Sequence, residues 1–189
     1  MNKKLFAVIC VLSIISFILL IYSALHIEAN EIPRLLFWIF LGSLFESLPI
    51  YYTKDRAVSV TFAIFLASQF SHGIYFTTFV AACSAVFVFI KNDDGSYKHL
   101  FNLPLHISLI NLTNYTISMF LAGQFYQFLS TIWPAESALP AMVLSIPLYV
   151  LTIFLFNSTI MSAYASMMTG SPFLKIWKEG TQIGRESCR

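Results

Sequence analysis

The chain has 189 residues, of which 58% are hydrophobic and 11% charged, with a net charge of +2 and 19 Phe, 9 Tyr and 3 Trp. Soluble globular domains carry roughly a quarter charged residues, and disordered chains are poor in apolar and aromatic residues, so both classes are excluded and an integral membrane protein is expected. A bilayer-spanning helix takes roughly 20 residues, so about half a dozen spans would use the whole length and leave no room for a separate soluble catalytic domain.

Apolar runs at 5–27, 35–52, 57–72, 74–91, 99–129 and 139–169 predict an all-α fold. Residues 1–170 then form a polytopic bundle of about six transmembrane helices. The first run follows Lys3 and Lys4 but is longer than a signal-peptide core and has no clean small-x-small cleavage site, so an uncleaved helix is expected. Glu31, Pro33 and Arg34 suit the start of the second span. Ser71-His72-Gly73 is all that separates the third from the fourth, which predicts a tight antiparallel hairpin. Asn92-Asp93-Asp94-Gly95-Ser96 is the clearest polar turn. The runs 99–129 and 139–169 would each be about 46 Å long as helices against a hydrocarbon core of about 30 Å, so they must tilt, bend or protrude. Pro104 lies near the start of the first. Pro140 and Pro147 lie in the outer half of the second, and Pro147 predicts a kink, with a re-entrant half-helix as the alternative. Trp133-Pro134-Ala135-Glu136 closes the fifth span, with Trp133 as an interfacial anchor.

Orientation follows from charge. A cytoplasmic N-terminus places Lys3, Lys4, Lys54, Arg56, Lys91, Lys98, Lys175, Lys178, Arg185 and Arg189 inside and Arg34 outside. Cytoplasmic loops are enriched in Lys and Arg, so an even number of spans with both termini inside is expected. An odd number would destroy the asymmetry.

Polar residues within the runs are the candidates for chemistry. Asn111, Asn114 and Ser118 share one face of the fifth helix, and Asn102, His106, Thr113 and Gln124 fall near the opposite one. A helix polar on two faces belongs at the centre of a bundle. Its amides and hydroxyls would join helices by hydrogen bonds, and a buried pocket for a small ligand is the alternative. Glu46 is the acidic residue well inside an apolar run. It should face protein or the inner interface and pair with a basic side chain, with proton coupling as the alternative role. Glu46, Asn102, His106, Asn111, Asn114 and Ser118 are therefore the candidate polar cluster. His26, His72 and His99 lack a second ligand at helical spacing, and Cys10, Cys83 and Cys188 lack paired spacing, so neither a metal site nor a disulfide framework is expected. Nucleotide-binding, metalloprotease, nucleophile-elbow and kinase motifs are missing. The chain is expected to be no enzyme, to need no cofactor and to bind no nucleic acid.

Four segments bring a family into view: Phe45-Glu46-Ser47-Leu48-Pro49, Ala57-Val58-Ser59-Val60-Thr61-Phe62-Ala63, Lys98-His99-Leu100-Phe101-Asn102, and Gly170-Ser171-Pro172-Phe173-Leu174-Lys175-Ile176-Trp177-Lys178. In this order, over residues 35–180, the chain resembles the N-terminal membrane region of bacterial cyclic-di-GMP signalling proteins, which continue into an HD-GYP phosphodiesterase or a GGDEF cyclase domain. The resemblance implies a sensing or anchoring module of the bacterial inner membrane. Its partners would be the lipid bilayer and a covalently following cytoplasmic output domain, with a homodimer among the assemblies open to it. The catalytic metal-binding residues of such an output domain have no counterpart here. Residues 171–182 form the expected cytoplasmic exit helix, with Phe173, Lys175, Trp177 and Lys178 as coupling residues. Residues 183–189 are similar to the translation of a sequencing adapter and are expected to be a non-native tail on a chain cut before its output domain. The competing reading is a small solute carrier, similar to the substrate-binding membrane subunits of vitamin transporters.

Overall fold

In the first helix, α1 (Lys3–Leu25), no charged residue interrupts the run from Leu5 onward. The computed structural model describes residues 3–48, 50–53, 56–58, 61–91, 97–99, 102–132 and 138–182. After α1 come a 3-10 turn (Ala29–Glu31), α2 (Ile32–Glu46), β1 (Ile50–Thr53), β2 (Arg56–Val58), α3 (Thr61–His72) and α4 (Ile74–Val86). The chain continues through β3 (Ile90–Lys91), β4 (Tyr97–Lys98), α5 (Leu105–Ile132), α6 (Ala138–Thr169) and α7 (Phe173–Gln182). The architecture is helical, with two short antiparallel hairpins, β1 with β2 and β3 with β4.

The hairpins correct the expected helix bounds. The second and third runs were expected as helices over 35–52 and 57–72, but helix stops at Glu46 and resumes at Thr61. Pro49 disfavours helix in the residue before it. The segment that follows, Ile50-Tyr51-Tyr52-Thr53, is β-branched and aromatic, as strands prefer. It pairs Ile50 with Val58 and Tyr51 with Ala57, and the register shifts before Thr53 meets Arg56. Likewise α4 ends at Val86 rather than 91, and Ile90 pairs with Lys98 across the segment that holds the polar residues 92–96, which lie outside the described residues. Hydropathy alone cannot tell such short apolar strands from helix. The fifth helix starts at Leu105, after Pro104, rather than near 99. The sixth runs unbroken through Pro147, so no re-entrant half-helix forms there. Trp133 to Glu136 lie outside the described residues.

α3 and α4 fold back on each other across Gly73, whose φ of 83° favours glycine. Thr77 Oγ1 donates to Ser68 Oγ at 2.9 Å across that hairpin. α5 packs against α1, α4 and α6, the central position its two polar faces predict, while α2 packs on α3 and α4, and α7 returns onto α6. The core gathers Leu35, Phe65, Phe76, Val80, Met119 and Tyr149. Two glycines let helices close on each other: a Cβ at Gly42 would run into Ser84 and Phe65, and one at Gly123 into Ile74.

α1 is polarised the wrong way round for water. It exposes Phe6, Val11, Ile14, Phe17, Ile18 and Ile21 and buries Ser13, Ser16 and Ser23 beside Leu5 and Ile9. Among the described residues, two helices are long and apolar enough to cross a bilayer, Leu5–Leu25 and Leu144–Thr169, and Ile74–Val86 is a shorter apolar helix. α2, α3 and α4, with 15, 12 and 13 residues, are shorter than a roughly 20-residue span.

Candidate functional site: a polar interior between two unlike ends

The chain path separates the bundle into two ends. Phe89 N donates to Ser47 Oγ at 3.0 Å, so α2 and α4 finish together and both hairpins leave from one end. That end carries Arg56, Lys91 and Lys98, with Lys3 at the start of α1 and α7 following α6. The opposite end gathers His26, Glu28, Glu31 and His72.

Between them lies a polar interior. Tyr115 of α5 donates its hydroxyl to Glu46 Oε1 at 2.5 Å, and Phe65 packs edge-on against the Tyr115 ring at 6.0 Å. The expected partner of Glu46 was a basic side chain. The sequence did not single out Tyr115, because 69 residues separate the two in the chain. On α5, Asn114 and Ser118 are both buried, and Ser118 Oγ approaches Asn114 Oδ1 at 3.4 Å. Asn111 and His106 are half-buried. Asn102 does not join them. It is exposed in the turn before α5, where its Oδ1 accepts from His99 N at 2.8 Å and its Nδ2 donates to Tyr97 O, so it ties the β3–β4 hairpin to the helix start. Pro104 delays the helix and leaves Asn102 free for that work.

Several interior hydroxyls are satisfied within their own helix, as Thr116 is by Leu112 O and Thr152 by Leu148 O, both at 2.7 Å. Others are buried with no partner among the described residues: Ser13, Ser16 and Ser23 on α1, Thr78 on α4, Ser108 and Thr113 on α5, and the amide oxygen of Gln69 on α3. Such groups can bind or orient a polar molecule. Among the described residues no three His, Cys, Asp or Glu side chains gather as metal ligands, and Cys10 and Cys83 are unpaired.

Outside the interior, a groove of about 480 Å³ runs along α2 to Phe87 and Phe89. Ser43 and Ser47 on its floor give their hydroxyl protons to Ile39 O and Ser43 O, so its walls present hydrocarbon. At the end opposite the hairpins, Trp38 Nε1 donates to His72 Nε2 at 3.2 Å, and Glu31 Oε1 lies 3.8 Å from His72 Nδ1. His26 stacks on Tyr75 at 4.3 Å and lies 4.4 Å from the Tyr22 ring. No spacing rule could have joined Trp38 to His72, 34 residues on.

The segment that follows α6 is the helix α7. Gly170, at φ 72°, ends α6, with its N–H donating to Ser166 O at 2.9 Å, and Ser166 Oγ donates to Ser171 O at 2.7 Å. Phe173, Ile176 and Trp177 are half-buried along one side of α7, while Lys175 and Lys178 are exposed. Residues 183–189 lie outside the described residues. Compared with protein-family models, curated proteins and solved structures, the chain matches none.

Proposed function

We propose that the chain is the membrane module of a bacterial signalling protein, spanning the inner membrane six times with both ends in the cytoplasm. In this reading α7 passes small displacements of α6 to a cytoplasmic output domain, an HD-GYP phosphodiesterase by resemblance, and the module has no catalytic activity of its own. α1 and α6 cross at full length. The shorter α2, α3 and α4 cross where the β hairpins continue them at the inner interface and the bilayer adapts to the mismatch. The basic residues Arg56, Lys91, Lys98, Lys175 and Lys178 then fall on the cytoplasmic side of the bilayer.

The observation that carries the reading is the junction of α6 with α7. A positive-φ glycine and a side-chain clamp from Ser166 turn the chain sharply, and the amphipathic helix that follows packs on α6 instead of trailing away. An anchored rigid element of this kind transmits movement of the helix that holds it. The unpartnered interior hydroxyls and the Glu46–Tyr115 pair are the groups through which a ligand would bias α5 and α6. Sequencing the native locus past codon 182 tests the proposal. The expected result is an open frame running into a cyclic-di-GMP output domain. A stop codon there beside genes for an energising ATPase would overturn it in favour of a solute carrier.

A further inference from the structure

His72 ends α3 immediately before the single-residue turn at Gly73, and three groups from three other elements surround its ring. Trp38 of α2 donates to Nε2 at 3.2 Å. Glu31 of the 3-10 turn sets a carboxylate oxygen 3.8 Å from Nδ1. Phe76 of α4 stacks on the imidazole at 4.2 Å with 24° between the planes.

An indole N–H is a donor and nothing else. Its bond to Nε2 therefore requires a lone pair there, which makes the ring neutral with its proton on Nδ1, toward Glu31. The carboxylate and the aromatic face favour the opposite state, since both attract an imidazolium. An imidazolium carries N–H at both nitrogens and cannot accept from Trp38. One ring thus has neighbours on three elements that select opposite protonation states: Trp38 the neutral ring, Glu31 and Phe76 the charged one.

We propose that Glu31, His72 and Trp38 form a proton-operated switch at this end of the bundle. A proton from solvent adds to the Nε2 lone pair. The Trp38 N–H loses its acceptor and is displaced, while Nδ1–H closes on Glu31 as a charge-assisted pair. α2 then shifts against the α3–α4 turn, with Gly73 as the hinge. Solvent protons reach the site because the His72 and Glu31 side chains retain 14% and 24% of their exposure. The other titratable or charged groups at this end of the elements meeting here are Glu28 beside the 3-10 turn, Arg34 in the first turn of α2, His26 after α1, Tyr75 on α4 and Tyr126 on α5, while Glu46 of α2, Cys83 of α4 and His106 and Tyr115 of α5 lie farther along their helices. The switch holds for a carrier as for a sensor, so it stands apart from the signalling proposal.

Fluorescence tests it. In the full chain, reconstituted in liposomes with Trp133→Phe and Trp177→Phe, Trp38 is the sole indole. Histidine side chains generally change charge between about pH 5 and pH 8, and lowering the pH across that range should reduce and shift Trp38 emission in one transition. His72→Gln keeps an acceptor for Trp38 but cannot take up the proton, so its emission should stay high and flat. Glu31→Gln, a change on the partly exposed turn that leaves the His72–Trp38 bond in place, removes the carboxylate that draws the imidazolium away from Trp38 and should shrink the emission change, and this variant carries the test if His72→Gln fails to fold. His26→Gln should reproduce the parent profile. A flat parent profile, an unaltered transition in His72→Gln, an emission change of full size in Glu31→Gln, or loss of the transition in His26→Gln would each overturn the proposal.

Discussion

Gly123 sits where α5 meets the start of α4, and the space a side chain would need is already filled by Ile74, itself 1% exposed. Replacing a helical glycine by alanine ordinarily stabilises by about 0.5–1 kcal/mol. Here the new methyl meets the Ile74 side chain as far in as its Cβ, too close to the backbone for a rotamer change to relieve, so overpacking wins. Gly123→Ala should lower stability by about 1–3 kcal/mol, measured by thermal unfolding in detergent, and Ile74→Ala in the same chain should return part of the loss. Stability equal to the parent would mean that α4 and α5 do not approach here. Gly42 differs in kind, because its nearest neighbour is the Ser84 hydroxyl, which donates to Ile39 O at 3.3 Å. A methyl there displaces a hydrogen bond rather than a packed branch. Glu46 and Tyr115 show the same dependence on context: an acidic residue near the end of α2 becomes part of the interior because a phenol on the central helix reaches it.

At the scale of elements, Gly170 decides what α7 can do. Its positive φ is the left-handed geometry that closes a helix, and a side chain there costs about 1–2 kcal/mol. No neighbour lies near enough to meet a Cβ at this position, so the cost is purely one of backbone conformation. Gly170→Ala should therefore leave α1 to α6 protected in hydrogen exchange while the amides of α7 exchange faster. Equal protection of α7 in both proteins would show that packing of Phe173, Ile176 and Trp177 holds it without the turn. The same scale explains the short helices. α2 ends before the β1–β2 hairpin, α3 starts after it and α4 ends before β3, and the hairpins take over the backbone hydrogen bonds that longer helices would have used.

For the whole molecule, the two ends differ in charge. Both hairpins, the start of α1 and α7 share one end, and the 3-10 turn and the α3–α4 turn lie at the other. Reporter fusions after Lys98 and after Lys178 should read cytoplasmic, and one after Glu136 external, because Lys and Arg are retained on the inner side. An external reading at Lys98 would remove the six-crossing arrangement and leave a model built on α1 and α6.

Composition and hydropathy by themselves determined that the chain is a set of apolar helices, the order in which they follow, and that α5 lies at the centre, since a helix polar on two faces needs protein on both. They also located the amphipathic segment Phe173 to Lys178. These properties are local: they depend on which residues follow one another within a few turns. What the tertiary structure decided is which distant residues meet. The hairpins that cut the second, third and fourth runs short, the removal of Asn102 from the polar cluster, the pairing of Glu46 with Tyr115 and of His72 with Trp38 and Glu31 all join residues by side-chain reach or strand pairing. Apolar runs of similar hydropathy suit helix, strand and interface alike, and only packing chooses among them.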